Sequence, residues 1–286
     1  MFWHVDAACS KEKVDRVLRY TFFKWLLNTK NITVIVLLLF INNTIIRKMK
    51  EVYGASAEPF CLVESGIALA NSGLILSFVF LFFVLLVSDI PCIDDSIYNQ
   101  IIRGGRKKWI VAQMRTAMIA VLMYNLLLFM FVLVSTSGIS YFANGWSVNV
   151  SVFGEKTNML SLIPLKLFNQ MPPYKAFALS IVLLVLFEIL YVNISILGAA
   201  YGKKRITLII QLFLLIVGMC LINFRKKAMW CFPVAHSILS LHYDDYLRRP
   251  VMNPLVSIMI FVTMDIISGL LVFKQLAKVN IDMLKG

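Results

Sequence analysis

Two acids stand where a bilayer makes them expensive. Glu188 and Asp265 each lie in the middle of an apolar block, and a charge at that depth costs on the order of 3 kcal/mol even on lenient insertion scales. An acid kept there either lines a path for an ion or substrate, or ties helices together through hydrogen bonds. At helical spacing, Glu188 shares a face with Tyr191, Ser195, Ala199 and Gly202, and Asp265 shares one with Ser257, Ser268 and Gly269. In the block before them Gln113, Ala117, Ala120 and Tyr124 fall in register. These faces are expected to point inward. Glu188, Tyr191, Ser195, Asp265 and Ser268 are therefore candidates for a substrate path or for a helix interface, and both readings stay open.

Other chemistry is conspicuous by its absence. The stretch Gly198-Ala199-Ala200-Tyr201-Gly202-Lys203-Lys204 has one residue too few between its glycines for a phosphate loop, and no Ser or Thr follows the lysine. It reads as a small-xxx-small packing motif running into a basic cluster. No HExxH or GxSxG spacing occurs, and His4, His236 and His242 are isolated along the chain. No catalytic residue and no metal set is assigned. The five cysteines contain no CxxC pair, and only Cys61 with Cys231, both on the expected outer side, leave one bridge open.

The elements that would position the acids follow from composition. Of 286 residues 60% are apolar and 15% charged, with a mean hydropathy of +0.81; a soluble domain is about half apolar and about a quarter charged. Six apolar blocks stand at about 27–46, 66–88, 109–134, 176–199, 206–224 and 254–273, each long enough to cross a bilayer as a helix. The expected fold is an all-α integral membrane protein, one transmembrane domain over 1–286 with six transmembrane helices. More of the 28 lysines and arginines fall on the side holding both termini, which predicts N-in/C-in. The net charge of +13 is explained by this bias and by anionic lipid, without nucleic acid.

Residues 11–27 carry Val14, Val17, Leu18, Phe22 and Trp25 at helical spacing with basic residues mainly opposite. This predicts an N-terminal amphipathic interfacial helix lying in the headgroup layer, and the segment is too charged for a cleavable signal. Outer loops are expected at 135–175 and 225–250. The first contains Asn144-Gly145 followed by alternating Trp146, Val148, Val150 and Val152, a β-hairpin signal. Its Leu162–Phe168 stretch reads as amphipathic, against the outer leaflet. The second, with Trp230, Phe232, Tyr243 and Tyr246, is too aromatic for a free loop. Pro233 would open a short helix there, through about Tyr246, half-sunk or re-entrant.

The cytoplasmic loop 89–108 is the most informative segment. Asp94 or Asp95 can cap a short helix, Gly104 or Gly105 can end it, and Ile93, Ile97 and Ile101 with Tyr98 and Ile102 make one apolar stripe. Such a stripe either meets a partner or lies on the membrane and anchors the next span through Trp109. With an interfacial helix before the first span, six spans, the loop helix ending in Arg103-Gly104-Gly105-Arg106-Lys107-Lys108-Trp109, and an aromatic stretch before the last span, the chain resembles the permease subunits of bacterial type-2 ABC exporters. The resemblance covers the whole chain in layout and residues 89–109 as a motif; the longer outer loop 135–175 departs from the pattern.

What the resemblance implies is an ATP-driven exporter in the bacterial cytoplasmic membrane, with this multi-pass chain paired with a second copy or a sister permease. Two cytoplasmic ABC ATPase subunits would carry ATP and Mg, so this chain would bind no cofactor and be no enzyme itself. Asp94, Asp95, Ile97, Tyr98, Ile101, Ile102, Arg103 and Gly104 would form the coupling helix in an ATPase groove, beside the interfacial helix. Cargo would be a peptide, a lipid or an amphiphilic small molecule. The alternative is a stand-alone ion-coupled carrier or channel using Glu188 and Asp265, against which stands the absence of a span plainly broken in mid-course.

Overall fold

The computed structural model describes residues 19, 22, 23, 25–91, 101, 105–156, 158–244 and 250–278. In chain order its helices are α1 (Thr29–Ser56), α2 (Glu64–Asn71), α3 (Gly73–Val87), α4 (Arg106–Thr136), α5 (Val148–Ser151), α6 (Leu165–Phe168), α7 (Pro173–Ala200), α8 (Lys204–Asn223), α9 (Pro233–Ser237) and α10 (Pro254–Lys278). Helices α1, α4, α7, α8 and α10 are each long and apolar enough to cross a membrane, and α2 with α3 makes a sixth crossing if that bent pair is one span. Their outward faces are apolar as well: Leu126, Ile209, Phe213 and Leu270 are exposed. A helix that is apolar on both its packed and its open face suits lipid rather than water. This is the architecture of an all-α, multi-pass membrane protein.

Helix α7 is the hub, packing most extensively on α10 and also on α2, α4, α8 and α9. The α7–α8 hairpin closes tightly because Gly198 has no side chain; a Cβ there would come within 2.1 Å of Thr207 Oγ1. The glycine stretch expected to serve packing is thus a helix end and a turn.

The first block does not stop at residue 46. Asn42–Ile46 form a single wide turn, and the helix continues through Arg47–Ser56 to a left-handed cap at Ala57. Hydropathy hides this continuation because it is amphipathic: Met49 and Val52 are buried, Arg47 pairs with Glu51 at 2.9 Å, and Lys48 Nζ donates to Asn158 O and Ser161 Oγ. The second block is broken, contrary to expectation. α2 and α3 meet at 74° across Ser72, whose backbone is extended. Asn71 makes the break tolerable: it donates to Ile67 O at 3.1 Å and Ser180 Oγ at 2.9 Å and accepts from Ser240 N at 2.9 Å.

The expected outer hairpin is absent. Ser147 starts the one-turn helix α5 instead, so Val148–Ser151 do not alternate as a strand. The strand pairing runs elsewhere, between β1 (Phe60–Cys61) and β2 (Ser140–Tyr141), in parallel with Phe60 opposite Ser140. Residues 135–175 nevertheless build a lobe packed onto the bundle, since Val150, Met159, Ile163 and Leu167 are buried in the same apolar core as the long helices. The stretch expected against the outer leaflet therefore turns Leu162, Ile163 and Leu167 into protein rather than lipid. Cys61 and Cys231 are not bridged; Cys61 is buried, and its Sγ donates to Ala143 O.

Between α8 and α10 the chain turns back into the bundle. Pro233 opens α9 as expected, but the helix ends at Ser237, Ile238 is extended, and a 3₁₀ turn follows over Leu239–His242. Val234, Ala235, Leu239 and His242 are fully buried. A Cβ at Gly218 would meet Val234 Cγ1 at 2.4 Å, so α8 carries glycine where this segment crosses it.

Candidate functional site

Besides Asn71 with its partners, three polar groups of residues stand in the apolar bundle. The first lies where the segment before α1 meets the end of α3. Phe22 and Trp25 are helical and face the core. Trp25 Nε1 donates to Leu86 O at 3.3 Å, Asn28 Nδ2 to Asp89 Oδ2 at 2.5 Å, and Lys30 Nζ to Asp89 Oδ1 and Ser88 Oγ, both at 2.7 Å. One acid, Asp89, so joins the start of α1 to the start of loop 89–108. Nearby in sequence, Arg106 of α4 donates to Ala277 O near the end of α10 at 3.1 Å. Trp109 is buried within the protein at 2% exposure. Ile101 packs against the chain's own core and is partly buried. Val14, Val17, Leu18, Asp94, Asp95, Ile97, Tyr98, Ile102, Arg103 and Gly104 lie outside the described residues.

The second group holds the intramembrane acids, and the structure spreads them over separate seams. Glu188 is fully buried and accepts from Asn125 Nδ2 across the α7–α4 seam. Asn125 also donates to Val121 O, which uses up its amide, while Glu188 Oε1 and Asn125 Oδ1 have no hydrogen-bond partner among the described residues. Asp265 faces Asn193 of α7 from α10, yet closes no well-formed hydrogen bond with either oxygen. Ser268 donates back to Asp265 O within its own helix. Tyr191 and Ser195 belong to the α7–α8 seam: Ser195 Oγ donates to Gln211 Oε1 at 2.9 Å, and Gln211 Nε2 to Tyr191 O at 2.7 Å. Gln113, Ala117, Ala120 and Tyr124 are all buried on α4.

The third group was not expected, because His236 and His242 look isolated in sequence. Both rings converge on one hydroxyl in the first turn of α10. His236 Nδ1 and His242 Nε2 each lie 2.8 Å from Ser257 Oγ. The far nitrogens face carbonyls: His236 Nε2 is 2.9 Å from Trp230 O, and His242 Nδ1 is 3.1 Å from Ile238 O. The Trp230 ring packs edge-on against both imidazoles at 5.3 and 5.2 Å. Burial lowers His236 below the usual imidazole range, partly offset by the bond to Trp230; it pushes His242 to about 4, offset by backbone bonds and reinforced by the neighbouring His236. A signal was present in two histidines within one aromatic, Pro-opened stretch. What no spacing reveals is that this stretch folds back onto Ser257.

Chemically, the first group can transmit a pull between the segment before α1 and the end of α3, the second leaves carboxyl oxygens in want of partners, and the third can hold a proton. No group of three or more His, Cys, Asp or Glu fit for a metal ion occurs among the described residues. Comparison with models of known families, with curated proteins and with solved structures finds no match to this chain.

Proposed function

We propose that this chain is the transmembrane subunit of an ATP-driven exporter, with six spans and both termini inside a bacterial cytoplasmic membrane. It forms the substrate path with a second copy or a sister permease, surrounded by membrane lipids. Two cytoplasmic ABC ATPase subunits hold the ATP and Mg, and hydrolysis belongs to them. The cargo is a peptide, a lipid or an amphiphilic small molecule.

The observation that carries this reading is the junction at Asp89. The interfacial segment, through Trp25, Asn28 and Lys30, and the coupling loop, through Asp89, spring from one hydrogen-bonded point. A partner that moves one of them moves the other, and with them α1 and α3. The pair Lys30–Asp89 is partly exposed at 42% and 35%, so it is worth less than about 1 kcal/mol to folding; its value lies in geometry. The buried, back-turning segment Pro233–His242 before the last span fits the same layout.

The test is a detergent pull-down of the tagged chain with an ATPase assay of what accompanies it. A soluble ATPase is expected to co-purify, and Ile97→Asp with Ile101→Asp is expected to release it. Retention of the ATPase by the double variant would sink the coupling-helix role.

A second reading, an ion-coupled carrier acting alone, is favoured by the break at Asn71-Ser72-Gly73 and by the unpartnered oxygens of Glu188 and Asp265. Half-helices meeting in the bundle and intramembrane acids are the usual parts of such carriers. Gradient-driven uptake by the purified chain in vesicles without any ATPase would put this reading first.

A further inference from the structure

We infer that His236, Ser257 and His242 form a binding site for one proton, whose occupancy sets how firmly the segment between α8 and α10 is held to α10. The geometry requires four hydrogen bonds in a row: Trp230 O to His236, His236 to Ser257, Ser257 to His242, and His242 to Ile238 O. Carbonyl oxygens only accept, so His236 Nε2 and His242 Nδ1 must carry hydrogen. In the neutral rings His236 Nδ1 and His242 Nε2 are then both lone pairs, and both face the same hydroxyl at 2.8 Å.

Ser257 has one hydrogen to give. The neutral cluster thus holds three protons for four bonds, and one 2.8 Å contact sets lone pair against lone pair. A fourth proton resolves this: one ring becomes imidazolium and donates to Ser257 Oγ, while Ser257 donates to the other ring. Transfer of the imidazolium proton to Ser257 Oγ, with the hydroxyl proton passing on to the other ring, exchanges the two roles. A second added proton has no place, because Ser257 would lose its acceptor and two cations would share a buried site.

Burial opposes the charge, so the site fills below the range of a free imidazole. Ser257 is fully buried and His242 is enclosed with it. Among the ionisable groups on the surrounding elements, Lys227 and Cys231 are exposed, Glu188 is engaged with Asn125, Asp265 faces Asn193, and Tyr243 follows His242 in the chain. None of them hydrogen-bonds to either ring among the described residues, and the charge that acts on His242 is that of His236. The filled site links Trp230, His236, Ser257, His242 and Ile238 without a gap, but because burial holds its proton affinity below that of a free imidazole, acid weakens the hold on α10 wherever release would expose the rings to water.

The chain has three histidines, so His4→Gln leaves only the pair visible by nitrogen NMR. The full-length variant, labelled in histidine and held in lipid nanodiscs, is titrated from about pH 8 down to about pH 4. The two rings are expected to take up one proton between them in a shared step, at a midpoint below the 6.5 of a free imidazole. Ser257→Ala is expected to lower that midpoint by about one unit, a tenfold loss of proton affinity, and Ser257→Thr, which keeps the hydroxyl, to restore it. Two separate protonations, no protonation of either ring down to about pH 4, or an Ser257→Ala midpoint equal to the parent's would each overturn the site. The parent titration decides the proton count even if the alanine variant fails to fold.

Discussion

Glu64 and Glu188 are both fully buried carboxyls, yet they are kept in opposite ways. Glu64, at the start of α2, accepts Ser147 N at 2.7 Å, Ser147 Oγ at 2.8 Å and Cys61 N at 3.2 Å. Both its oxygens are occupied, and the donors come from residues on either side of the β1–β2 pairing. Glu188 has one donor, Asn125, and an oxygen left over. A satisfied buried acid is a fastener, whereas an unsatisfied one keeps a cost that folding alone does not explain. The lobe over residues 135–175 is thus built for rigidity, and the bundle it packs on retains polar groups with capacity to spare.

Breaking the satisfied node should hurt most. Glu64→Ala strands two buried backbone N–H groups and a hydroxyl, and is expected to cost about 3 kcal/mol. The thermal unfolding midpoint in detergent should fall clearly, with the 135–175 lobe becoming the first site of proteolytic cleavage. Asn71→Leu comes next at about 2 kcal/mol, because Ser180 Oγ and the buried Ser240 N–H lose their partner; the same unfolding assay reads it. If either variant were as stable as the parent, the polar links between lobe, break and bundle would be incidental.

Acid should act on the histidine pair. An unfolded histidine takes a proton near 6.5, while burial holds the folded rings below that value, His242 down to about 4. The unfolded state therefore binds more protons in that window, and stability should fall as pH drops from 6.5 toward the folded midpoint, by about 1.4 kcal/mol per pH unit for each histidine charged only in the unfolded chain, so by up to about 2.7 for the pair. Unfolding midpoints measured across this range check the slope, and replacement of both histidines by Asn should flatten it. The smallest effect on folding is expected at Glu188→Gln, under about 1 kcal/mol, since the change removes no satisfied bond beyond the one to Asn125. Transport by this variant sharpens the contrast: lost transport with normal assembly marks Glu188 as part of the path, and lost assembly marks it as helix glue.

The spans were legible because hydropathy is a one-dimensional signal, and a stretch such as Ile206–Leu221 announces itself. The polar faces of α4 and α7 could also be read, as their spacing is set within one helix. What escaped was decided across long separations. Arg47–Ser56 reads as a charged loop until the lobe that buries Met49 and Val52 is known. Trp146–Val152 alternates like a strand, but Ser147 is held by Glu64, and its chain turns into α5 instead. Ser72 breaks a span because Asn71 finds partners on α7 and at Ser240. His236 and His242 gain meaning only from Ser257 on another element. In each case a local pattern was overruled by a hydrogen bond or a buried face contributed from far along the chain.

The central claim is that this chain works as the membrane half of an ATP-driven machine, and native mass spectrometry of the tagged protein drawn gently from its own membrane tests it most directly. The account predicts an assembly of two permease chains with two copies of a soluble ATPase, which Lys30→Ala with Asp89→Ala weakens without unfolding the chain. A particle that contains this chain and no ATPase, and that moves substrate on an ion gradient alone, would contradict it.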